Sequence, residues 1–274
     1  MLISRRVSAA VLVSIVIPAR NSAKTLPLTL RSIKRQTYPH IEVIVVDGRS
    51  SDNAAEIARS YGARVITTRP NRSLQRNAGA LLARGDILYF VDADFYLTPG
   101  VVQECVDLIH SGADAVIVLN ISNPLKGTVA KIRYYERMSY YGSGTYEAAR
   151  CMTRRTFWKA GGYDPQLYAN EDYDLHARIA ATGAKTAHTR KNFEIHLDEP
   201  ATWRELIAKS LYYGRNITKY LTKNPNPAHI TPIRPTYLKK EYAAWATRKW
   251  TWAIPAVIIQ KTIQAYATAI GKII

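Results

Sequence analysis

The sequence predicts an α/β domain built on a mostly parallel sheet flanked by helices. Three observations predict it. Apolar runs of strand length alternate with segments of helical spacing from Val11 to Leu119. Turn-forming residues punctuate the junctions. The 274-residue chain is 47% hydrophobic, enough to bury the core of one large domain, alone or with an appendage.

The elements follow in order. Val11–Ile17 is a continuous apolar run, as a strand buried on both faces requires. Pro18, Ala19, Arg20 and Asn21 form the turn after it. Leu26–Gln36 places Leu26, Leu30 and Ile33 on one helical face. Ile41–Val46 is a second strand, and Asn53–Tyr61 a second helix with Ser51 or Asp52 as its N-cap. A short strand at Arg64–Thr67, a helix at Leu74–Ala83, a strand at Ile87–Val91, a helix at Gly100–Ser111 and a strand at Ala115–Leu119 continue the alternation. Repeated βα units imply right-handed crossovers, and ligands of such sheets bind beyond the carboxyl ends of the strands. Further on, Asn170 is a predicted N-cap for a helix running to Ala181, and Trp203 opens another helix.

Asp92-Ala93-Asp94 ends the apolar run Ile87–Val91. Carboxylates at i and i+2 of an extended chain lie on one side and can converge on a hard divalent cation. The plain alternative is a turn that favours aspartate. Asp47 ends the second strand on the same rim, where it is either a turn former or an acceptor for a nucleobase edge.

Charge is lopsided, with 38 Lys+Arg against 21 Asp+Glu and a formal net charge of +17, which favours an anionic partner. From Ala201 onward 12 basic residues stand against Glu205 and Glu241, interleaved with Trp203, Trp245, Trp250 and Trp252. That mixture suits a membrane interface or a single nucleic-acid strand. Two cysteines, Cys105 and Cys151, make no disulfide framework and no Cys/His cluster has zinc spacing; buried free thiols are expected. Ser4-Arg5-Arg6 with the apolar run behind it superficially resembles a signal peptide. No small-residue cleavage site follows, so the run is expected to be the first strand.

Several segments together resemble family 2 glycosyltransferases. Val13–Asn21 resembles that family's opening strand, Val45–Asp52 its second strand and nucleotide loop, and Arg76-Asn77-Ala78-Gly79 the element before its metal motif. Gly85–Asp94 resembles the metal-binding strand. Gly161-Gly162-Tyr163-Asp164 and Glu171-Asp172 are similar to the later acceptor-side motifs. The resemblance spans Val11 to His196, in order and with suitable spacing.

The resemblance implies the GT-A fold, a nucleoside-diphosphate sugar donor and a bound Mg²⁺ or Mn²⁺. Pro18, Ala19, Arg20, Asn21, Asp47, Arg76, Asp92 and Ala93 would line the donor site. Asp94 and Asp92 would hold the metal, with His196 as a further contact. Asp172 would be the catalytic base, with Glu171 beside it. A rival reading of Glu171 and Asp172 is stabilisation of the helix N-terminus by its dipole. Polymerising relatives carry a Gln-x-x-Arg-Trp element that is missing here, so transfer of one sugar is implied, with mannose from GDP-mannose favoured over a UDP-sugar.

The expected organisation is a catalytic domain over 1–200 and a basic, Trp-rich, helical membrane-associating appendage over 201–274. Thr251–Ile274 is apolar but interrupted by Pro255, Lys261 and Lys272. It reads as a poor membrane span, as a helix lying in the interface, or as a helix packed on the catalytic domain. The expected partners are an anionic membrane and a lipid-linked acceptor, with the catalytic domain on the cytoplasmic side. No nucleic acid is expected, because ordered carboxylates at strand ends repel phosphate unless a metal intervenes. A sugar nucleotidyltransferase stays open as a further alternative.

Overall fold

The computed structural model describes residues 11–142, 146–225 and 252–273. An eight-stranded sheet runs through the molecule in the order β3-β2-β1-β4-β7-β6-β8-β5. β1 (Val13–Ala19) is central, buried at every residue, and pairs in parallel with β2 (Ile41–Asp47) and β4 (Ile87–Phe90). β3 (Arg64–Thr67) extends this half in parallel beyond β2. The helices between them are α1 (Leu26–Lys34), α2 (Ala54–Ser60) and α3 (Arg72–Leu82). These are the expected elements, displaced by at most a few residues.

One contact fixes how α3 lies on the sheet. A Cβ at Gly79 would sit 2.3 Å from Val16 Cγ1, so the helix can approach β1 this closely only with glycine there. The polar face of α3 is thereby aimed at the strand ends. Gln75 Nε2 donates to Ala19 O at 2.9 Å and to Val46 O at 2.7 Å, clipping the ends of β1 and β2 together.

The sheet is mostly parallel, as expected, and its antiparallel pairings all lie in the second half. β5 (Phe95–Leu97), β6 (Ala115–Ser122), β7 (Cys151–Thr153) and β8 (Thr186–His196) follow, with α4 (Val101–His110) between β5 and β6. β7 runs antiparallel to both β4 and β6, and β5 antiparallel to β8, while β6 and β8 are parallel. β7 and β5 are three residues each, too short to show a period; β8 is polar enough to read as a loop. α5 (Thr128–Tyr140) and α6 (Arg154–Lys159) flank β7 in the chain. Cys105 and Cys151 are buried free thiols.

α7 (Glu171–Ala181) begins where expected, but Asn170 does not cap it by its side chain. It adopts a left-handed backbone, φ 57°, that turns the chain into the helix. Neither Ser51 nor Asp52 occupies the position before α2, which is Asn53. Asp52 instead accepts from Ala23 N at 2.8 Å and Ala54 N at 3.2 Å, tying the loop after β1 to α2.

α8 (Trp203–Asn216) starts with a complete capping box between Thr202 and Glu205, and α9 (Thr218–Lys223) follows. The last helix, α10 (Ala253–Ile273), packs on α8 and α5. The crossing with α8 is glycine on glycine: a Cβ at Gly214 would meet Thr268 O at 2.3 Å, and one at Gly271 would meet Leu211 O at 2.4 Å. Val257 packs with Ile132 and Tyr135 of α5. Of the three sequence readings of the tail, packing on the catalytic domain describes the buried side of α10. No helix among the described residues is long and apolar enough to cross a membrane. Trp245 and Trp250, with Arg234, Lys239, Lys240, Arg248 and Lys249, lie outside the described residues, as does Ser4-Arg5-Arg6.

Candidate active site

The strand ends open into a cleft of about 810 Å³. Pro18, Ala19, Arg20, Asn21, Asp92, Ala93, Asp94, Glu171, Asp172 and His196 all line it. The sheet register explains the convergence. Phe90 pairs with Val16, so the chain leaving β4 carries Asp92 to the level where β1 ends. β8 pairs with β5 so that His196 faces Phe95, and Leu197 N donates to Asp94 O at 2.7 Å. A histidine about a hundred positions later in the chain is thus locked beside the second aspartate.

The loops after β1 and β2 are stitched together. Asn21, in a left-handed conformation, accepts from Ser51 N at 2.8 Å and donates its own N–H to Ser50 Oγ at 2.9 Å. Asp47 is buried and accepts from Ser50 N at 3.1 Å, the turn-forming role. It sits level with Ala19 but is not among the residues that line the cleft.

Asp92 and Asp94 have opposite surroundings. Asp92 Oδ1 accepts from Arg76 at 2.6 Å and Oδ2 from Arg150 at 3.1 Å. Burial opposes its ionisation, but the two guanidinium groups win and hold it far below the usual carboxylate range. Each arginine is itself held over an aromatic ring, Arg76 over Tyr163 and Arg150 over Phe95, both 4.9 Å from ring centre. Asp94 is pushed up to about 6 by burial and by the charge on Asp92. His196 Nδ1 stands 3.5 Å from Asp94 Oδ2 and accepts the Asp198 N–H at 3.3 Å. Burial depresses the imidazole to about 3, so it is a neutral ring with a lone pair.

Arg76 does not reach the cleft. It is 1% exposed and spans from Asp92 to Glu171, which it meets at 2.8 Å. One turn earlier, Arg72 lines the cleft and lies 3.4 Å from the same Glu171. Burial disfavours the Glu171 carboxylate, yet Arg72 and Arg76 outweigh it and keep it ionised. Glu171 is therefore a positioning group. Asp172, next to it, has no ion-pair partner among the described residues; burial and Glu171 raise its pKa against the pull of Arg150 and Arg76, which makes it the more basic of the two. Behind the site, Glu194 is lifted to about 7 by burial and accepts from Tyr89 OH at 2.7 Å.

The donors at Asp94 and His196 fit one divalent ion. Two ligands each ~2.1 Å from an ion stand at most ~4.2 Å apart, and Asp94 Oδ2 and His196 Nδ1 are within that span; Nδ1 has one lone pair and would exchange the long Asp198 N–H contact at 3.3 Å for the ion. The ring nitrogen counts against Mg²⁺, which takes oxygen ligands. Among the described residues no group of three or more His, Cys, Asp or Glu side chains gathers as a metal site. Two protein ligands suit an ion that takes its other contacts from water and substrate phosphates.

Arg72, Arg150, Glu194 and Lys209 were missed by the sequence reading. Arg150 immediately precedes a strand too short to recognise, and Lys209 lies in an appendage read as a membrane element. Arg72 carried a usable signal, being one helical turn before Arg76.

A family description, "Glycosyl transferase family 2", matches residues 14–163, more than half of the chain. The chain belongs to glycosyl transferase family 2. Among curated relatives, the amylovoran biosynthesis glycosyltransferase AmsB of Erwinia amylovora is 28% identical over 63% of this chain and 65% of its own length. Validoxylamine A glucosyltransferase of Streptomyces hygroscopicus is 24% identical over 78% of this chain and 61% of its own. The match to 4,4'-diaponeurosporenoate glycosyltransferase of Staphylococcus haemolyticus is 41% identical but spans only 24% of that protein. The chain thus covers less than two thirds of these relatives.

Among solved structures, the mannosyltransferase PcManGT from Pyrobaculum calidifontis, in complex with GDP-Man and Mn²⁺, superposes with a TM-score of 0.66. It is 18% identical, over 97% of this chain and 88% of its own. TarS from S. aureus, residues 1–349 with UDP-GlcNAc, gives 0.55 at 14% identity, over 92% and 90%. These likenesses establish the GT-A fold.

Proposed function

We propose that this family 2 enzyme moves a single sugar from a nucleoside-diphosphate sugar, GDP-mannose by preference, to a lipid-linked acceptor with inversion. The observation that carries the reading is the placement of three groups in one cleft: Asp94, His196 and the unclamped Asp172. Asp94 and His196 would hold Mn²⁺, which when bound neutralises charge on the departing diphosphate. Arg72 adds a positive group on the same wall. Asp172 takes the proton from the acceptor hydroxyl as that oxygen attacks the anomeric carbon. The bond to the diphosphate breaks with its electron pair, and one displacement inverts the configuration. Arg76 and Arg150 keep Asp92 fixed, so the segment carrying Asp94 has one orientation.

Support for mannose is the PcManGT likeness with GDP-Man and Mn²⁺. The TarS likeness with UDP-GlcNAc favours the second reading, a UDP-sugar-dependent transferase acting on another glycan. A membrane location is supported by the basic balance beyond Ala201 and by apolar side chains on the open face of α10.

The test is incubation of the full chain with labelled GDP-mannose or UDP-sugars, Mn²⁺ and a membrane-lipid extract. Label entering the lipid fraction from GDP-mannose, with release of GDP and loss on chelation, is the expected result. Transfer only from a UDP-sugar selects the second reading. Release of pyrophosphate in place of a nucleoside diphosphate would overturn both.

A further inference from the structure

The cleft does not stop at Asp94 and His196. Toward the β6–β8 side, away from β1, it continues into a lobe walled by α5, α8 and α10. Glu199 lies beneath this lobe with its side chain closed to solvent. It seats two guanidinium groups, accepting from Arg133 Nε and from Arg137 Nη2, each at 2.5 Å. Arg137 is braced further by Nε donating to Ser122 Oγ at 3.1 Å. One carboxylate cannot neutralise two arginines; Glu136 also acts on Arg133 but is shared with Lys261, so a positive charge is left over at the cleft wall.

Lys209 of α8 adds another. It lines the cleft, and among the described residues its ammonium has no hydrogen-bond or ion-pair partner. Lys261 does not contribute to the surplus, because Glu136 meets it at 2.7 Å. Gln264 Oε1, in the same cleft, is buried and has no donor among the described residues. Held guanidinium forks, a free ammonium and a buried orphan acceptor ask for a ligand bearing both an anionic oxyacid and a hydroxyl.

We propose that this lobe binds the acceptor through a phosphate gripped by Arg133, Arg137 and Lys209, with Gln264 accepting from a hydroxyl of the same molecule. The inference rests on the glycosyl transfer proposed above and names its acceptor class. Two features place the ligand on the acceptor side. The lobe lies toward β6 and β8, away from Pro18–Asn21 at the end of β1, which the family resemblance assigns to the donor. Its walls are α5, α8 and α10 rather than the β1–β2 loops.

The nucleophile is a hydroxyl and not the phosphate itself. An ionised phosphate oxygen has no proton to give, and Asp172 would then have no task. In the step, the acceptor O–H proton passes to Asp172 and the O–C1 bond forms. The C1–O bond to the diphosphate breaks, and the nucleoside diphosphate leaves with the electron pair. The phosphate is thus an anchor, and the sugar is added elsewhere on the acceptor. Its source is a prenyl (di)phosphate-linked sugar or a soluble sugar phosphate.

The test measures KM on the full chain with Mn²⁺ and the active donor, using acceptor pairs that differ only in phosphate. One pair is a short-chain prenyl diphosphate-linked sugar and the same sugar as a neutral prenyl glycoside. The other is hexose 1-phosphate and methyl hexoside. The phosphorylated member is expected to have a KM about 10-fold lower or more, the size of one lost charge-assisted hydrogen bond. Preference in the first pair assigns the phosphate to a lipid carrier, and in the second to a soluble sugar. Lys209→Gln should raise KM for the phosphorylated acceptor about 10-fold, with donor KM unmoved, and Lys209→Arg should restore most of it.

Equal KM within both pairs in the unaltered protein overturns the proposal. So does a rise in donor KM in place of acceptor KM for Lys209→Gln, which would give the lobe to the donor diphosphate. If no nucleotide sugar donates to any acceptor, glycosyl transfer itself fails, a result distinct from transfer that ignores the phosphate.

Discussion

Asp92 and Asp94 stand two positions apart and have different work. Asp92 is saturated by Arg76 and Arg150, whereas Asp94 looks across 3.5 Å at a neutral imidazole. Asp94→Ala is therefore expected to abolish the Mn²⁺-dependent part of nucleoside-diphosphate binding while thermal stability is kept. Titration calorimetry with and without chelator checks this, and an affinity that ignores chelator in both proteins would count against it. Asp172→Asn should leave donor binding intact and lower turnover by ~10²–10⁴-fold, the usual contribution of a general base. Proton NMR of the product should give an anomeric configuration opposite to the donor's. Retention would refute the mechanism even with an inactive variant. Glu171 is a different case: its carboxylate is committed to Arg72 and Arg76, so its loss acts through α3 and α7.

At the scale of elements, what could be read from sequence divides along the sheet. β1, β2, β3 and β4 are apolar runs between turn residues, and all four were legible together with the ends they expose. β7 is three residues whose pairing is set by β4 and β6, and β8 spends its length on residues such as Arg190, Lys191 and Asn192. Such strands exist through their neighbours and leave no local pattern. Arg150 and Glu194 therefore stayed hidden, whereas Asp172 and Asp94 were named through the family resemblance and line the cleft. The junction of α5 with the chain before α8 shows the same dependence, resting on buried Glu199 between Arg133 and Arg137. Burial disfavours the Glu199 carboxylate, and the two arginines outweigh that and hold its pKa well below the ordinary value. A depressed carboxylate contributes stability above its unfolded pKa, and the contribution is lost as pH falls through the folded value. Glu199→Gln should cost ~3–5 kcal/mol near neutral pH, because two partly buried arginines lose the charge of their fully buried partner. In thermal melts the gap between the two proteins should be full above about pH 4.5 and close in acid. A gap independent of pH would place the effect in packing alone.

At the scale of the whole molecule, the surplus of positive charge and the open face of α10 belong to one argument. Val257, Gln260, Ala267 and Gly271 face the body of the protein, while Ile259, Tyr266, Ile270 and Ile273 lie outward at helical spacing. Tyr266 is 71% exposed and Ile273 85%, a poor arrangement for a helix surrounded only by water. Arg204, Arg215 and Lys272 are exposed on the same two helices. Charge brings such a face to an anionic bilayer, at about 1 kcal/mol per basic residue near the surface, and apolar insertion retains it. Deleting α10 would confound the test, since its inner face is packed on α5 and α8. The informative variant is Ile259→Ser with Tyr266→Ser and Ile270→Ser, which alters the outer face alone. Each loss is worth roughly 1 kcal/mol of insertion for a half-exposed side chain, so the three together should weaken binding to phosphatidylglycerol-containing vesicles by ~10²-fold. Nucleotide affinity and thermal midpoint should stay as they were. Raising the salt should weaken vesicle binding of both proteins by screening the approach. If the triple variant sediments with the vesicles as fully as its parent, α10 is not the docking face, and the charge beyond Ala201 serves the cleft alone.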